Sequence, residues 1–155
     1  MKLTLLSVGD KLPAWADMAV AEYLKRMPRE ARMELVEIKP SIRAGQSADT
    51  IKAIEAARLL DKLPSGNRLV ALDEHGREVT TRELADLLAR WMAEGRDVAL
   101  VIGGADGLAP SLLEKAELKL SLSRLTLPHA LARVLLAEQM YRAVSLLHNH
   151  PYHRE

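Results

Sequence analysis

The chain contains no cysteine. A disulfide framework, a thiol nucleophile and a thiolate metal site are therefore closed to it, and a reducing compartment suits it. It has no apolar run near the roughly 20 residues needed to cross a bilayer. The opening Met1-Lys2-Leu3-Thr4-Leu5-Leu6 is too short and too soon polar for a signal peptide, so a cytoplasmic protein is expected. Net charge is scarce too, +1 over 155 residues, which sets the chain apart from strongly basic nucleic-acid binders. The charge is unevenly spread, however. From Lys119 onward, Lys119, Arg124, Arg133, Arg142 and Arg154 oppose only Glu138 and Glu155, and four of the five histidines lie there. The C-terminal quarter is thus the part expected to face something anionic.

What is present is enough apolar sequence, 48% of the chain, for one core and one domain over 1–155, ending in a short tail from about 148. Met1–Val8 is β-prone. Pro13–Met27 has helical apolar spacing, with Pro13 suited to a first turn. Met33–Ile38 alternates with period two. Lys39–Ser47 reads as a mobile loop, and Ser47 or Asp49 can cap a helix running to Lys62. Arg68–Leu72 is a third strand, turned by Asp73-Glu74-His75-Gly76. A helix follows from Thr81 to Ala93, then an apolar strand from Asp97 to Ile102. A short helix near 110–116, a strand near 119–123 and a long helix from His129 to Leu147 complete the chain. Strands alternating with helices at this spacing predict an α/β fold with a mostly parallel sheet flanked by helices.

In such sheets ligands sit beyond the carboxyl ends of the strands. The loops leaving Leu72 and Ile102 are the candidates. Gly103-Gly104-Ala105-Asp106-Gly107 lacks the Lys-Ser/Thr of a P-loop and is not G-x-G-x-x-G. It reads equally as a tight turn or a ligand loop. Leu122-Ser123-Arg124-Leu125-Thr126-Leu127-Pro128-His129 offers apolar walls for a purine and helix N-terminal amides for a carboxylate. It also reads as a plain turn capped by Thr126. His129 and Arg133, four apart, share a helix face. Leu131, Val134, Leu135, Met140, Val144 and Leu147 suit a core or a dimer contact. The tail His148-x-His150-x-x-His153 has imidazoles for a metal, but no carboxylate among them, so no metal is assigned. Tyr152, His153 and Arg154 instead combine a stacking ring, an acid–base group and a phosphate fork, the parts that hold an RNA base and its backbone.

Val101–Gly107, Leu122–His129 and the terminal Asn149–Arg154 together resemble the SPOUT methyltransferases that modify N3 of a pseudouridine in bacterial large-subunit rRNA. The resemblance spans the whole chain. Where that family often has Pro and Glu, this chain has Ala105 and Asp106. The resemblance implies a C-terminal trefoil knot, a rare exception to unknotted chains. It implies S-adenosylmethionine held by Leu72, Gly103 and Leu122, Ser123, Arg124, Leu125, Thr126 and Leu127. It also implies a homodimer whose partner surface is the apolar last helix, and a substrate in 23S rRNA met on the assembled ribosome.

The expected chemistry is in-line attack on a sulfonium methyl by an imide nitrogen that sheds a proton. His153 is the candidate base, Tyr152 the stacking ring, and Arg154 or Arg133 the group favouring the anion. His129, Arg133 and Arg142 are the candidate RNA contacts. Two other readings fit parts of the pattern. One is a non-catalytic ribosome-binding module using the basic C-terminus, and the other a nucleotide-sensing protein using the Gly103 loop.

Overall fold

The apolar and period-two runs become five strands in a computed structural model that describes residues 1–9 and 11–154. They are β1 (Lys2–Val8), β2 (Arg32–Ile38), β3 (Arg68–Glu78), β4 (Val98–Ile102) and β5 (Leu118–Ser121). They form one sheet in the order β2-β1-β4-β3-β5, and every pairing is parallel. Parallel strands covered on both faces are buried along their length and nearly all apolar, as in Val98–Ile102 and in Leu3–Val8, where only Thr4 and Ser7 are polar. The connecting helices are α1 (Ala14–Arg26), α2 (Ala48–Lys62), α3 (Thr81–Glu94), α4 (Pro110–Lys115) and α5 (His129–Leu147). Leu84, Leu88 and Trp91 of α3 and Leu136 and Met140 of α5 share one core with Leu3, Leu5 and Leu100. Ala56 and Leu59 of α2 and Leu112 of α4 form the other with Leu6, Val8 and Val101.

Helix limits follow local chemistry. The Ser47 hydroxyl accepts from the Thr50 amide at 3.2 Å and starts α2, which decides between the two expected caps. Thr80 and Glu83 form a reciprocal capping box at the start of α3, and Gly95, at φ 72°, ends it. The start of α5 differs from expectation. Its N-cap is Pro128, without a side-chain hydrogen bond, so Thr126 caps nothing. Asn149, at φ 53°, follows the last turn of α5, and the His150 amide donates to the Ser145 carbonyl at 2.8 Å. This left-handed turn folds the tail back along α5.

The strand from Arg68 continues beyond the turn expected at Asp73–Gly76. Leu72 and Arg77 both register with Leu120, and Glu78 with Ser121. A Cβ on Gly76 would lie 2.8 Å from the Lys119 carbonyl carbon and oxygen, so that segment runs directly against the β5 backbone. Pairing with a strand distant in sequence supplied this extension, and local turn propensity could not reveal it. The expected mobile loop 39–47 is tied down at two points. The Ser41 amide donates to the buried Glu55 carboxylate at 3.1 Å, and Arg43 forms a two-pronged pair with Asp106 at 2.5 and 3.2 Å.

Candidate active site

The irregular middle of β3 and the carboxyl ends of β4 and β5 open into one cavity of about 780 Å³. Its wall brings together segments separate in sequence: 72–75 at the irregularity within β3, 102–108 at and after the end of β4, and 120–129 from the end of β5 to the start of α5. Seven of the eight residues expected to hold the donor line it, namely Leu72, Gly103, Leu122, Ser123, Leu125, Thr126 and Leu127. Arg124 does not. Its side chain is exposed, 3.8 Å from Glu78, so only its backbone belongs to the segment.

The glycine loop is built on close internal contacts. A Cβ on Gly103 would stand 2.7 Å from the Gly107 carbonyl carbon, and one on Gly104 would stand 3.0 Å from Glu55 Oε1 and Val8 Cγ1. The glycines are therefore required for the loop to fold on itself and on its supports, whatever they also allow a ligand. Arg43 is the first cause that holds Asp106 below the ordinary carboxylate range, so the acid kept in this chain anchors the loop as an anion. In the opposite wall the Ser123 hydroxyl accepts from the Leu125 amide at 2.9 Å, and Ser121 donates to the Ser123 carbonyl at 3.0 Å. These bonds shape the turn and leave Leu125 76% exposed.

The resemblance read in the sequence implies S-adenosylmethionine here, and the residues present fit it. The volume lies in the usual range for such ligands. Leu72, Ile102, Leu120, Leu122 and Leu127 offer an apolar slot for a purine, and the uncapped α5 start offers amides to an anionic group.

Beneath the cavity lies an unexpected network. Arg133 has no exposed surface. It donates to the Glu37 carboxylate at 2.7 Å, the Gly9 carbonyl at 2.6 Å and His129 Nε2 at 2.8 Å. Ser7 Oγ lies 3.2 Å from the same imidazole nitrogen. This corrects the expectation that Arg133 meets RNA or steadies a substrate anion: the guanidinium is sealed inside and occupied by the ends of β1 and β2. His129 lines the cavity, half-buried, and is likewise committed to this network.

Burial first, then the Arg133 charge, depress the pKa of His129 against the opposing pull of the Gly103 backbone and Glu37. With Nε2 accepting, the neutral ring carries its proton on Nδ1. Because the folded state resists protonation, the unfolded state binds the extra proton first as pH falls through the ordinary value of 6.5. Stability is therefore lost below that pH. The melting temperature should fall between pH 7.5 and 5.5, and His129→Gln should flatten that fall; equal falls in both proteins would remove His129 as the cause.

The tail docks elsewhere. The Tyr152 hydroxyl is 2.9 Å from Glu138 Oε2 and 3.0 Å from the Tyr23 hydroxyl. Its ring lies 4.7 Å from that of Tyr141 and under the Arg142 guanidinium at 4.9 Å. Arg142 is itself bonded to Glu138 at 2.9 Å. Desolvation, then the bonds to Tyr23 and Glu138, push the Tyr152 pKa far up, so the phenol stays protonated. His153 Nδ1 is shielded and has no hydrogen-bond partner among the described residues. No residue of 148–154 lines the cavity. Along α5, Glu138 stands roughly 13 Å from His129 at ~1.5 Å per residue. One chain therefore holds the two expected halves of the site apart. Sequence reasoning missed Tyr23, Tyr141 and Glu138. The four-residue Glu138–Arg142 spacing was a readable signal, whereas the tyrosines carried none. Among the described residues, no three His, Asp or Glu side chains gather to hold a metal.

A parallel α/β sheet with its cavity walled by a glycine loop and a leucine loop at two strand ends, and by the irregular middle of a third strand, has the form of a ligand-binding α/β protein. The chain belongs to the SPOUT methyltransferases: the family model described as "Predicted SPOUT methyltransferase" matches residues 1–153. It is 56% identical over its full length, and the relative's, to the protein named Ribosomal RNA large subunit methyltransferase H of Methylobacillus flagellatus. It is 57% identical, again over both full lengths, to the protein of that name from Laribacter hongkongensis. Among solved structures, a methylase family protein from Haemophilus influenzae shares the fold at a TM-score of 0.55 and 17% identity, covering 97% of this chain and 69% of that one. One from Neisseria gonorrhoeae does so at 0.51 and 16%, covering 90% and 81%.

Proposed function

We propose that the protein, acting in the cytoplasm as a homodimer, methylates N3 of a pseudouridine in 23S rRNA on the assembled ribosome. S-adenosylmethionine supplies the methyl group as an electrophilic sulfonium substituent. The observation that carries this reading is the convergence of the Leu72, Gly103 and 122–127 segments on one cavity, in a chain this similar to proteins named for large-subunit rRNA methylation. We read residues 1–155 as one domain. The match of the SPOUT family model to residues 1–153 supports reading the C-terminal part as the family's trefoil knot.

We infer the following division of labour. The cavity orients the donor and excludes water, which is most of what an in-line methyl transfer needs. The imide nitrogen must lose its proton, and His153 is the candidate acceptor; its Nδ1 is shielded in the single chain, so the ring has to turn outward or use its other nitrogen to reach the substrate. Tyr152, kept protonated, serves as a stacking ring and hydrogen-bond donor. Arg154 and Arg142 hold the substrate's phosphates. A second chain brings its tail to this chain's cavity. Three exposed apolar side chains, Trp15, Met18 and Leu131, support such a partner surface. They lie at the starts of α1 and α5, the ends nearest the cavity.

The direct test is incubation of assembled ribosomes with the protein and labelled S-adenosylmethionine, followed by nucleoside mass spectrometry. Appearance of N3-methylated pseudouridine is expected, and label confined to another nucleoside would overturn the substrate. The shared site has its own test. Gly103→Val chains, lacking a donor site, are mixed and reassembled with chains carrying Tyr152→Ala, His153→Ala and Arg154→Ala. Random pairing makes about half the dimers mixed, each with one complete site, so about a quarter of wild-type activity returns. No return of activity would sink the shared site.

A further inference from the structure

The basic C-terminus is not the only cationic stretch. Residues 25–32, at the end of α1 and the start of β2, carry Lys25, Arg26, Arg29 and Arg32 against Glu30 alone. Arg26 is occupied by Glu22 at 2.9 Å and lies over the Tyr23 and Tyr141 rings. Lys25, Arg29 and Arg32 are exposed. Among the described residues, they make no ion pair or side-chain hydrogen bond. Arg29 and Arg32 border a concave surface of about 650 Å³ with Met1, Lys2 and Asp97. The other charges there are spoken for: Lys2 Nζ pairs with Glu34 at 2.8 Å, and Asp97 accepts from the Lys2 amide at 2.8 Å.

This surface adjoins the tail of the same chain. His148 lies 3.7 Å from Glu30, and Tyr152 bonds to Tyr23, two residues before Lys25. Solvated cations with no protein partner, beside the groups proposed to hold a base, have the chemistry of a backbone contact. They neutralise phosphates, release counterions and position the strand without reading its sequence.

We propose that Lys25, Arg29 and Arg32 form a ridge that binds the phosphate backbone of the RNA whose base is presented to the adjoining tail. The proposal rests on the rRNA reading above. It adds a positioning surface that lies away from the donor cavity and outside the C-terminal quarter.

The test is steady-state methylation of assembled ribosomes by Arg29→Glu/Arg32→Glu protein, with ribosome binding measured over a salt series. The KM for ribosomes should rise about tenfold, and the log–log salt slope should fall by about two, one per lost phosphate contact. Turnover at saturation and calorimetric affinity for S-adenosylmethionine should stay at wild-type values, the latter also showing that the variant is folded. Arg29→Lys/Arg32→Lys should restore most of the KM, because phosphate attraction needs charge more than shape. Lys62→Glu/Lys115→Glu applies the same charge change to the helices on the opposite face and should leave KM within about twofold. An unchanged KM and slope in the Arg29/Arg32 variant, or an equal rise in the Lys62/Lys115 variant, overturns the ridge while leaving the enzyme reading intact. Wild-type protein that neither binds nor methylates ribosomes overturns both.

Discussion

Replacing Arg133 with alanine should destabilise the protein by about 3 kcal/mol, near the low end for breaking a buried ion pair because Glu37 keeps some contact with water. At 2–4 °C per kcal/mol for a chain of this size, the melting temperature should drop by roughly 6–12 °C. Three losses combine. The Gly9 carbonyl and Glu37 lose a charged donor, His129 Nε2 loses its bond, and a fully buried side chain leaves a void between α5 and the ends of β1 and β2. Arg133→Met should recover part of the packing and none of the hydrogen bonding, and so fall between the two. Thermal melts of the three proteins at pH 7.5 decide this; a drop of under 2 °C for alanine would show that the network contributes little. Because His129 also lines the cavity, the alanine variant should bind donor more weakly even where it remains folded.

Gly103→Val should abolish calorimetrically detectable binding of S-adenosylmethionine, a loss of at least about 100-fold, while most of the chain stays folded. The branched side chain meets the Gly107 carbonyl carbon and oxygen at 2.7 and 2.8 Å and Leu108 Cδ2 at 3.0 Å. Backbone cannot step aside as a flexible side-chain end can, so the loop must open, and its opening moves one wall of the cavity. Gly45→Val is the natural comparison. Gly45 also lies in a loop, with nothing within 4 Å of its would-be Cβ, so a side chain there strains only its own left-handed backbone. Donor binding should survive in that variant. Wild-type protein without measurable affinity would transfer donor binding to the ribosome-bound state, and retained affinity in Gly103→Val would remove the glycine loop from the site.

The alternation of apolar strands and helices was legible in the sequence because burial on both faces of a parallel sheet forces near-continuous apolar runs such as Val98–Ile102. The glycine and leucine donor segments were legible because each is a local pattern at a strand end, whereas Leu72, chosen as the end of its strand, lies at an irregularity inside β3. The Gly103–Gly107 loop and the Leu122–Leu127 run keep their character wherever the sheet places them. The same local reading fails at Arg133. Four residues from His129 on a mixed helix, it has the spacing of a surface pair. Only the arrival of Gly9 and Glu37, more than 90 positions earlier, turns it into a buried strut. The position of the tail was equally hidden from a local reading. Its residue types suggested a base-handling site, yet the turn at Asn149 and the contacts with Tyr23 and Glu138 place it away from the cavity of its own chain. By itself, then, the sequence determined the class of sheet, the order of its elements and the composition of the donor loops, because these depend on periodicity and backbone stereochemistry within a few residues. The tertiary structure alone decided which cations are sealed and which remain free, how far β3 extends along β5, and that tail and cavity lie apart in one chain, because these depend on contacts between segments distant in sequence.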